Sequence, residues 1–518
     1  MAALSARDVL RFAFAQGAGN ALVTAPIRVT ENPVSTAGDL PPGTLPDRRT
    51  PLPTGTHEHL ADLPYPRRRV TAQALDRPDA AQRRLGHALV AAFGIQRREP
   101  SNPYNDHRGY ASVRSKFPVH AFVTGGGRRR LVDPGRHALL DMAGGGAAGE
   151  PAAVVLAGRF THLPDYYRPL RGPLTELELG INLRALAVAM ELFGVAGRLR
   201  LPGADDAGLP AGPGLAPAWQ WTLPLVVETP ATDPAPTPPT GPTPPAAPAV
   251  PAPAVPAPVA PAPAGSRAPA GNAGDVAACP DPALAEVVAV NRTQRGAGPA
   301  VPLAGAIPEL PGERGPSWAE VLFERTAGRM PRRLSGMNGR RRRVPSTALT
   351  DAAAWLSVPP PGLLRAVADA IRVTAVVQDV DGFAAGRYEV RGSRVEARDT
   401  SGTGLHARLE GAYGYPLTPG NGCDVRHATT LWFLTARPAR LVEEFGPAGW
   451  TLAQYAAGWM TQGLSLSAAA HGLYARPARA FDEIPAQRLL GLEPDETVLL
   501  SVISGTGRFT EQVWDLRL

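Results

Sequence analysis

Lysine is almost missing from this 518-residue chain: of its 53 basic residues only Lys116 is a lysine, and the rest are arginine. A phosphate site here must therefore be built from guanidinium forks and backbone N–H groups. Cysteine is scarce as well. Cys279 and Cys423 supply neither a disulfide framework nor a four-thiolate metal site. No apolar run reaches the roughly 18 residues of a membrane-spanning helix, so no membrane partner is expected. The opening stretch carries Arg7, Asp8 and Arg11 where a signal peptide would have its apolar core, which makes a cytoplasmic location the expectation. The net charge is +7, but the largest basic run, Arg340–Arg343, has no interleaved aromatics, and no nucleic-acid partner is expected. Thr56-His57-Glu58-His59 reads as a loop with two histidines and no further ligands nearby, so no metal is expected. Neither a Gly-x-Ser-x-Gly motif nor a Cys–His nucleophile arrangement occurs.

Proline and glycine are abundant, with 58 and 55 residues. The glycines have no collagen period, so the excess belongs to loops and a linker. Sixteen prolines fall within residues 229–270, alternating mostly with Ala, Thr and Val. Such a stretch runs as extended polyproline II and spaces two folded halves. The expected division is an unassigned proline-rich region 1–79, an N-terminal domain 80–228, a linker 229–275 and a C-terminal domain 276–518. The 3.6-residue pattern predicts helices over Ala80–Phe93 and Leu174–Phe193 in the first half. In the second half it predicts helices over Trp318–Glu324, Ala348–Leu356, Leu363–Ala370 and Leu452–Ala470. Strands are expected at His120–Thr124, Ala153–Leu156, Arg387–Val390, Thr430–Leu434 and Thr497–Ile503. The runs Gly125–Gly127 and Gly144–Gly146 read as hairpin or loop turns.

The halves can be laid over each other. Glu178-Leu179-Gly180, thirteen residues, then Gly194-Val195 matches Ala456-Ala457-Gly458, thirteen residues, then Gly472-Leu473. In both, one glycine is read as opening a buried helix and a second follows fourteen residues on. A repeat of this length means a tandem of two related domains.

In the second half, Phe323-Glu324-Arg325-Thr326-Ala327-Gly328-Arg329 is similar to the Arg-Ser-x-x-Arg phosphate motif of the nitroreductase-like flavoproteins, with Thr for Ser. Asp381-Gly382, Gly386-Arg387-Tyr388, His471-Gly472-Leu473-Tyr474, Leu489-Leu490-Gly491-Leu492 and Gly505-Thr506-Gly507-Arg508 have counterparts in the same order. In the first half, Ala111-Ser112-Val113-Arg114-Ser115-Lys116-Phe117-Pro118 resembles the Pro-Ser-x-Gly-x-x-Tyr-Pro flavin loop, with Ala for Pro and Arg114 for Gly. Within that superfamily the chain resembles the azoline dehydrogenases of ribosomal peptide natural products, of thiopeptide type. Each half keeps a different part of the pattern.

The resemblance implies an α+β fold of two nitroreductase-like domains packed as an intramolecular pseudo-dimer. It implies one composite FMN site per chain, the N-terminal half being degenerate. Arg325, Thr326, Arg329 and Arg508 would hold the phosphate, with Leu473 and Gly505 beside it, and Gly505 and Gly507 would form an anion-binding turn. Ser112, Arg114 and Ser115 would reach the ring and ribityl chain from the other half. The implied reaction takes a proton and a hydride from a thiazoline or oxazoline in a precursor peptide, beside a cyclodehydratase. The family's Lys-Tyr pair is replaced by Tyr166-Tyr167 here, and by Glu444-Phe445 in the second half. Tyr167, Tyr166 and Glu444 are the candidate bases, Arg168 and Arg171 being cations that would favour a phenolate. Two other readings stay open: an NAD(P)H-dependent reductase of quinone, nitro or unsaturated substrates, and a flavin-free scaffold for a cyclodehydratase or precursor peptide.

Overall fold

A computed structural model describes residues 5–14, 40–70, 80–100, 106–144, 152–202, 217–229, 276–293, 298–328, 339–400, 404–413, 423–508 and 512–518. The proline-rich stretch 230–275 and the predicted site residue Arg329 lie outside them.

Helix α1 (Ala6–Phe14), strand β1 (Thr44–Pro51) and helix α2 (Thr56–Ala61) precede α3 (Ala80–Phe93) and the short strands β2 (Ile95–Arg98) and β3 (His107–Arg108). Strands β4 (Val119–Gly125), β5 (Arg128–Asp133), β6 (Ala138–Met142) and β7 (Ala153–Gly158) lead to the long helix α4 (Arg171–Leu192), then β8 (Arg198–Arg200) and β9 (Leu225–Glu228). Gly126 and Gly127, both at positive φ, make the two-residue turn between β4 and β5, a conformation that favours glycine at both positions. The histidines His57 and His59 sit on α2 rather than in a loop, where His59 packs edge-on against His87 of α3 at 5.0 Å.

Beyond the proline-rich stretch, α5 (Pro282–Asn291) and β10 (Val301–Pro302) first return to the N-terminal half: Asn291 bonds Glu176 and Leu223, and β10 pairs with β8. The second half then runs α6 (Trp318–Glu324), β11 (Gly339–Arg340), α7 (Thr347–Ser357), α8 (Leu363–Asp369), β12 (Arg372–Val377), β13 (Gly386–Arg391) and β14 (Arg394–Asp399). It continues with α9 (Leu405–Glu410), β15 (Thr430–Ala436), α10 (Pro438–Phe445), α11 (Gly449–Ala470), β16 (Tyr474–Ala478), α12 (Glu483–Leu490), β17 (Thr497–Gly507) and β18 (Trp514–Asp515).

Sheet topology carries the duplication further than the glycine spacing did. The first sheet has the order β1-β6-β5-β4-β7-β9-β8-β10. The second has β14-β13-β12-β15-β17, with β16 and β11 both on β17. Strands β6-β5-β4-β7-β9-β8 thus repeat as β14-β13-β12-β15-β17-β16, every pair antiparallel, with α4 and α11 at equivalent points of the chain. Gly194 and Gly472 are equivalent too. Each has positive φ directly beyond its helix, and the next residue returns to the carbonyl five back, Val195 to Met190 and Leu473 to Ala468.

Gly180 and Gly458 do not open their helices. Each is the tenth residue of a 22-residue helix, and there α4 and α11 meet backbone to backbone. A Cβ on Gly180 would lie 2.0 Å from the Tyr455 carbonyl oxygen, and one on Gly458 would lie 2.0 Å from that of Leu177. The helices run alongside in the same sense, Thr451 reaching Glu176 and Arg184 reaching Trp459. Every residue of α11 and all but Glu191 of α4 is buried. The continuous core of the protein is therefore the seam between its two halves, which join as an intramolecular pseudo-dimer. Arg184 closes one side of that seam: its guanidinium donates to the carbonyls of Trp459, Ala306 and Trp355 and lies between the Trp355 and Trp459 rings.

A half-buried ion cluster ties α7 to the end of α11. Asp351 accepts from Arg314 through Nε and Nη2 at 2.6 and 2.8 Å and from His471 Nε2 at 2.9 Å. Although burial works against the charge, these partners hold the Asp351 carboxyl below its ordinary range. A depressed folded-state value stabilises above the unfolded value and is lost as the pH falls through the folded one. Asp351→Ala is expected to remove about 3 kcal/mol at pH 7, because the half-buried Arg314 and His471 side chains lose their buried acceptor. Thermal melts at pH 7 and near pH 3 check this: the gap between variant and wild type should close on acidification.

Candidate functional site

The opening motif of the second half is delivered by α6, a helix fixed at its start by a capping box between Ser317 and Glu320. Arg325 follows directly and is buried, at 3% exposure. Its Nε and Nη2 donate to the Arg108 carbonyl of the other half at 3.1 and 2.9 Å, and its own carbonyl accepts from Arg97. Gln462 of α11 donates to the next carbonyl, Gly109, at 2.9 Å. Two consecutive carbonyls of the first half are thus held by two elements of the second. They stand at the base of the segment that leads into Ser112.

Thr326 continues away from this interface. Its carbonyl accepts from Ala475 of β16, and β16 sets Tyr474 opposite Gly505 on β17. Strand β11 lies across the last residues of β17, Gly339 against Gly507 and Arg340 against Thr506. Strand pairing therefore brings Thr326, Leu473, Gly505 and the exposed Arg508 into one corner. Residues 504–507 are not the anion-binding turn that Gly-Thr-Gly suggests. They remain in β17 because β16 and β11 pair with them, and Gly505 is small for another reason: a Cβ there would be 2.9 Å from the Tyr474 hydroxyl. Of the neighbouring basic run, Arg341 and Arg343 pair with Asp379 and Asp381.

On the other side stands the loop 112–117. Ser112 Oγ donates to Glu178 Oε1 at 3.0 Å, the Val113 N–H donates to the same oxygen at 2.7 Å, and the Phe117 N–H donates to Ser112 Oγ at 2.8 Å. Ser112 thus shapes the loop. Arg114, Ser115 and Phe117 all have positive φ, as does Arg168 just before α4. Half of the eight such non-glycine residues among those described lie in this one cluster, and strain of that kind gathers at functional sites. Arg114 donates to the Tyr166 hydroxyl at 2.5 Å, and the Tyr166 and Tyr167 rings pack at 4.7 Å. Tyr167 is buried with Leu163, Leu170 and Leu174, and Val113 packs on them. The structure therefore joins Ser112, Arg114, Tyr166 and Tyr167. Glu444 stands apart, exposed on α10 in the other half, with no hydrogen bond to the tyrosines among the described residues.

Sequence reading passed over Glu178, although Glu176 and Glu178 are conspicuous as two buried carboxyls in a largely apolar helix. Glu176 is satisfied by Asn291 and Thr451. Glu178 is satisfied at one oxygen only. Burial raises its pKa to about 8 against the opposing hydrogen bonds from Val113 and Ser112 and the charge of Arg108.

FMN is the group this corner is asked to hold. Arg325 Nη1 is buried without a partner among the described residues. Burial and the adjacent Arg97 both disfavour the Arg325 charge, so an anion is the ligand that would relieve it. Such a donor fits a phosphate, which Thr326 and Arg508 would border. The cavity behind the loop, between Phe93, Arg108, Tyr110, Phe117, His120 and His162, encloses about 70 Å³. That is room for a few waters and too little for a flavin ring.

No protein-family model and no curated protein sequence matches the chain. Solved structures do match in fold. An Anabaena variabilis protein described as a nitroreductase aligns over 97% of this chain and 99% of its own, at 14% identity and a TM-score of 0.62. A chain of the E. coli microcin synthetase McbBCD complex with truncated pro-MccB17 bound aligns over 35% of this chain and 71% of its own, at 18% identity and a TM-score of 0.27. A Staphylococcus epidermidis protein described as an NAD(P)H:FMN oxidoreductase aligns over 38% and 90%, at 14% identity and a TM-score of 0.25. With the repeated sheets and the full-length alignment together, the chain has the α+β nitroreductase fold, as two tandem nitroreductase-like halves packed into one pseudo-dimer.

Proposed function

We propose that this chain is an FMN-dependent dehydrogenase with one flavin per chain, which oxidises azoline rings in a ribosomally made precursor peptide. The observation that carries the reading is the double anchor on residues 108 and 109, where Arg325 and Gln462 of one half hold the base of the strained loop of the other. It supports a single site shared by both halves. Arg325, Thr326 and Arg508, together with Arg329, would hold the phosphate. Residues 112–115 would border the ring. Tyr167 or Tyr166, within the same cluster, would take the proton from the azoline. When bound, FMN supplies a hydride acceptor at N5, and dioxygen re-oxidises it. The precursor peptide and a cyclodehydratase of the same route are the partners this reading requires, with residues 229–275 as the spacer between the halves.

The visible absorption spectrum of the purified protein, with flavin released and counted, tests the reading. About one FMN per chain is expected, bleached anaerobically by a thiazoline-containing peptide. Two per chain would overturn the single composite site. Bleaching by NAD(P)H but not by the peptide would make the chain a reductase. A protein that stays colourless after reconstitution with excess FMN would leave only a scaffold.

A further inference from the structure

The function proposed above gives Glu178 no task, yet its surroundings are unusual. The side chain is buried at 2% exposure, and both of its hydrogen-bond donors, Ser112 Oγ and the Val113 N–H, reach Oε1. Oε2 is buried with no partner among the described residues. The ionisable groups facing it are Arg108 and Tyr110, both from the 107–117 segment. Arg108 donates to the Tyr110 hydroxyl and lies over the Phe117 ring at 3.9 Å, so no ion pair forms with the carboxyl. On α4 itself Glu176 turns to Asn291 and Thr451, and Arg325 at the end of α6 acts on Tyr110. Burying a carboxylate with one oxygen unpaired is costly, and keeping the proton avoids that cost. Since Oε1 is the acceptor, Oε2 is the oxygen that carries the proton. The result is a buried O–H, beside the loop, with nothing to donate to.

We propose, on the reading that a flavin binds here, that Glu178 is a flavin-binding residue: its Oε2–H donates a hydrogen bond to an acceptor atom on the edge of the isoalloxazine ring, while Oε1 keeps the 112–117 loop in shape. Glutamine preserves both functions, since its amide oxygen accepts and its N–H donates. Leucine preserves volume and neither function.

The test is FMN affinity by fluorescence quenching, from pH 7 to pH 9, for the full-length apo-protein and its Glu178→Gln and Glu178→Leu variants, with near-ultraviolet circular dichroism to verify folding. Glu178→Gln is expected within about threefold of wild type at pH 7, and Glu178→Leu at least about thirtyfold weaker. A carboxyl that ionises near pH 8 in the apo-protein and must be neutral in the complex weakens binding about tenfold between pH 7 and pH 9. Glu178→Gln should be flat over that window, in which the FMN phosphate, with its second pKa near 6, keeps a constant charge. Wild-type affinity in Glu178→Leu, or the same pH dependence in wild type and Glu178→Gln, overturns the proposal. If Glu178→Leu does not fold, the pH comparison alone decides. Wild type that binds no FMN at any pH overturns the flavin reading itself, a result distinct from failure of Glu178.

Discussion

Arg325→Ala is expected to weaken FMN binding by two to three orders of magnitude. Two losses combine. The guanidinium holds the Arg108 carbonyl with two N–H donors, and its removal leaves a buried acceptor without a partner, at about 1–3 kcal/mol. It also takes away Nη1, the buried donor that we assign to the phosphate, and a hydrogen bond to a charged group is worth about 1.5–3 kcal/mol. Part of the first loss is felt as loop disorder rather than as affinity, so the sum of about 2.5–6 kcal/mol is not transmitted whole. Arg325→Lys separates the two, because an ammonium keeps the charge but cannot span the carbonyl and the phosphate at once. It should recover less than a tenth of the wild-type affinity. Arg508→Ala should cost only a few-fold, since Arg508 is exposed. Fluorescence titration of FMN into the apo-proteins measures all three. Wild-type affinity in Arg325→Ala would make Arg325 an interface residue and remove it from the site.

That Arg325 faces the other half was only partly legible in the sequence. Its helix was legible in full: Trp318–Glu324 and Ala80–Phe93 match the observed helices residue for residue, because a 3.6-residue apolar pattern is a local signal. The long helices were read to within a few residues at their starts. Five strands, β4, β7, β13, β15 and β17, are legible to within a residue at their starts, while β1 and β2 are not. β1 (TLPDRRTP) is an exposed edge strand without alternation, and β2 (IQRR) is held by the C-terminal strand β18 from more than 400 residues away. No short window contains that pairing. Gly180 and Gly458 were correctly matched, yet their task was misread. A glycine inside an apolar run looks the same whether it starts a helix or lets another helix approach. The Gly-Thr-Gly motif was misread as a turn for the reverse reason: strands β16 and β11, distant in sequence, pair with it and keep it extended. Ser112, Arg114 and the two tyrosines were found by resemblance. Arg114 meets Tyr166 directly, but the loop around Ser112 is held by Glu178, on a helix more than 60 residues downstream.

Gly458→Ala carries the largest expected effect on stability. The added methyl would sit 2.0 Å from the Leu177 oxygen and 2.9 Å from the Ile181 nitrogen, with the Gly180 Cα at 3.0 Å. All three are backbone atoms of α4, so no rotamer change relieves the clash. The helices must part by more than about 1 Å along a seam where nearly every side chain is buried, and close packing resists such movement. Overpacking that side chains can absorb costs about 1–3 kcal/mol. A backbone clash at the centre of the seam belongs above that range, at about 3–5 kcal/mol, which in domains of this size lowers the thermal midpoint by roughly 10 °C. Gly180→Ala should do the same, because its methyl meets the Tyr455 oxygen at the same distance. Gly472→Ala is the control. It has open space around it and only its positive φ to lose, so about 1 kcal/mol is expected. Circular-dichroism melts of the three variants decide: a Gly458→Ala midpoint within 2 °C of wild type would mean that the seam is looser than its backbone contacts imply. FMN affinity should fall in step with stability for Gly180→Ala and Gly458→Ala and not for Gly472→Ala. Glu178 and Gln462, which shape and anchor the loop, lie on the two helices that these substitutions would push apart.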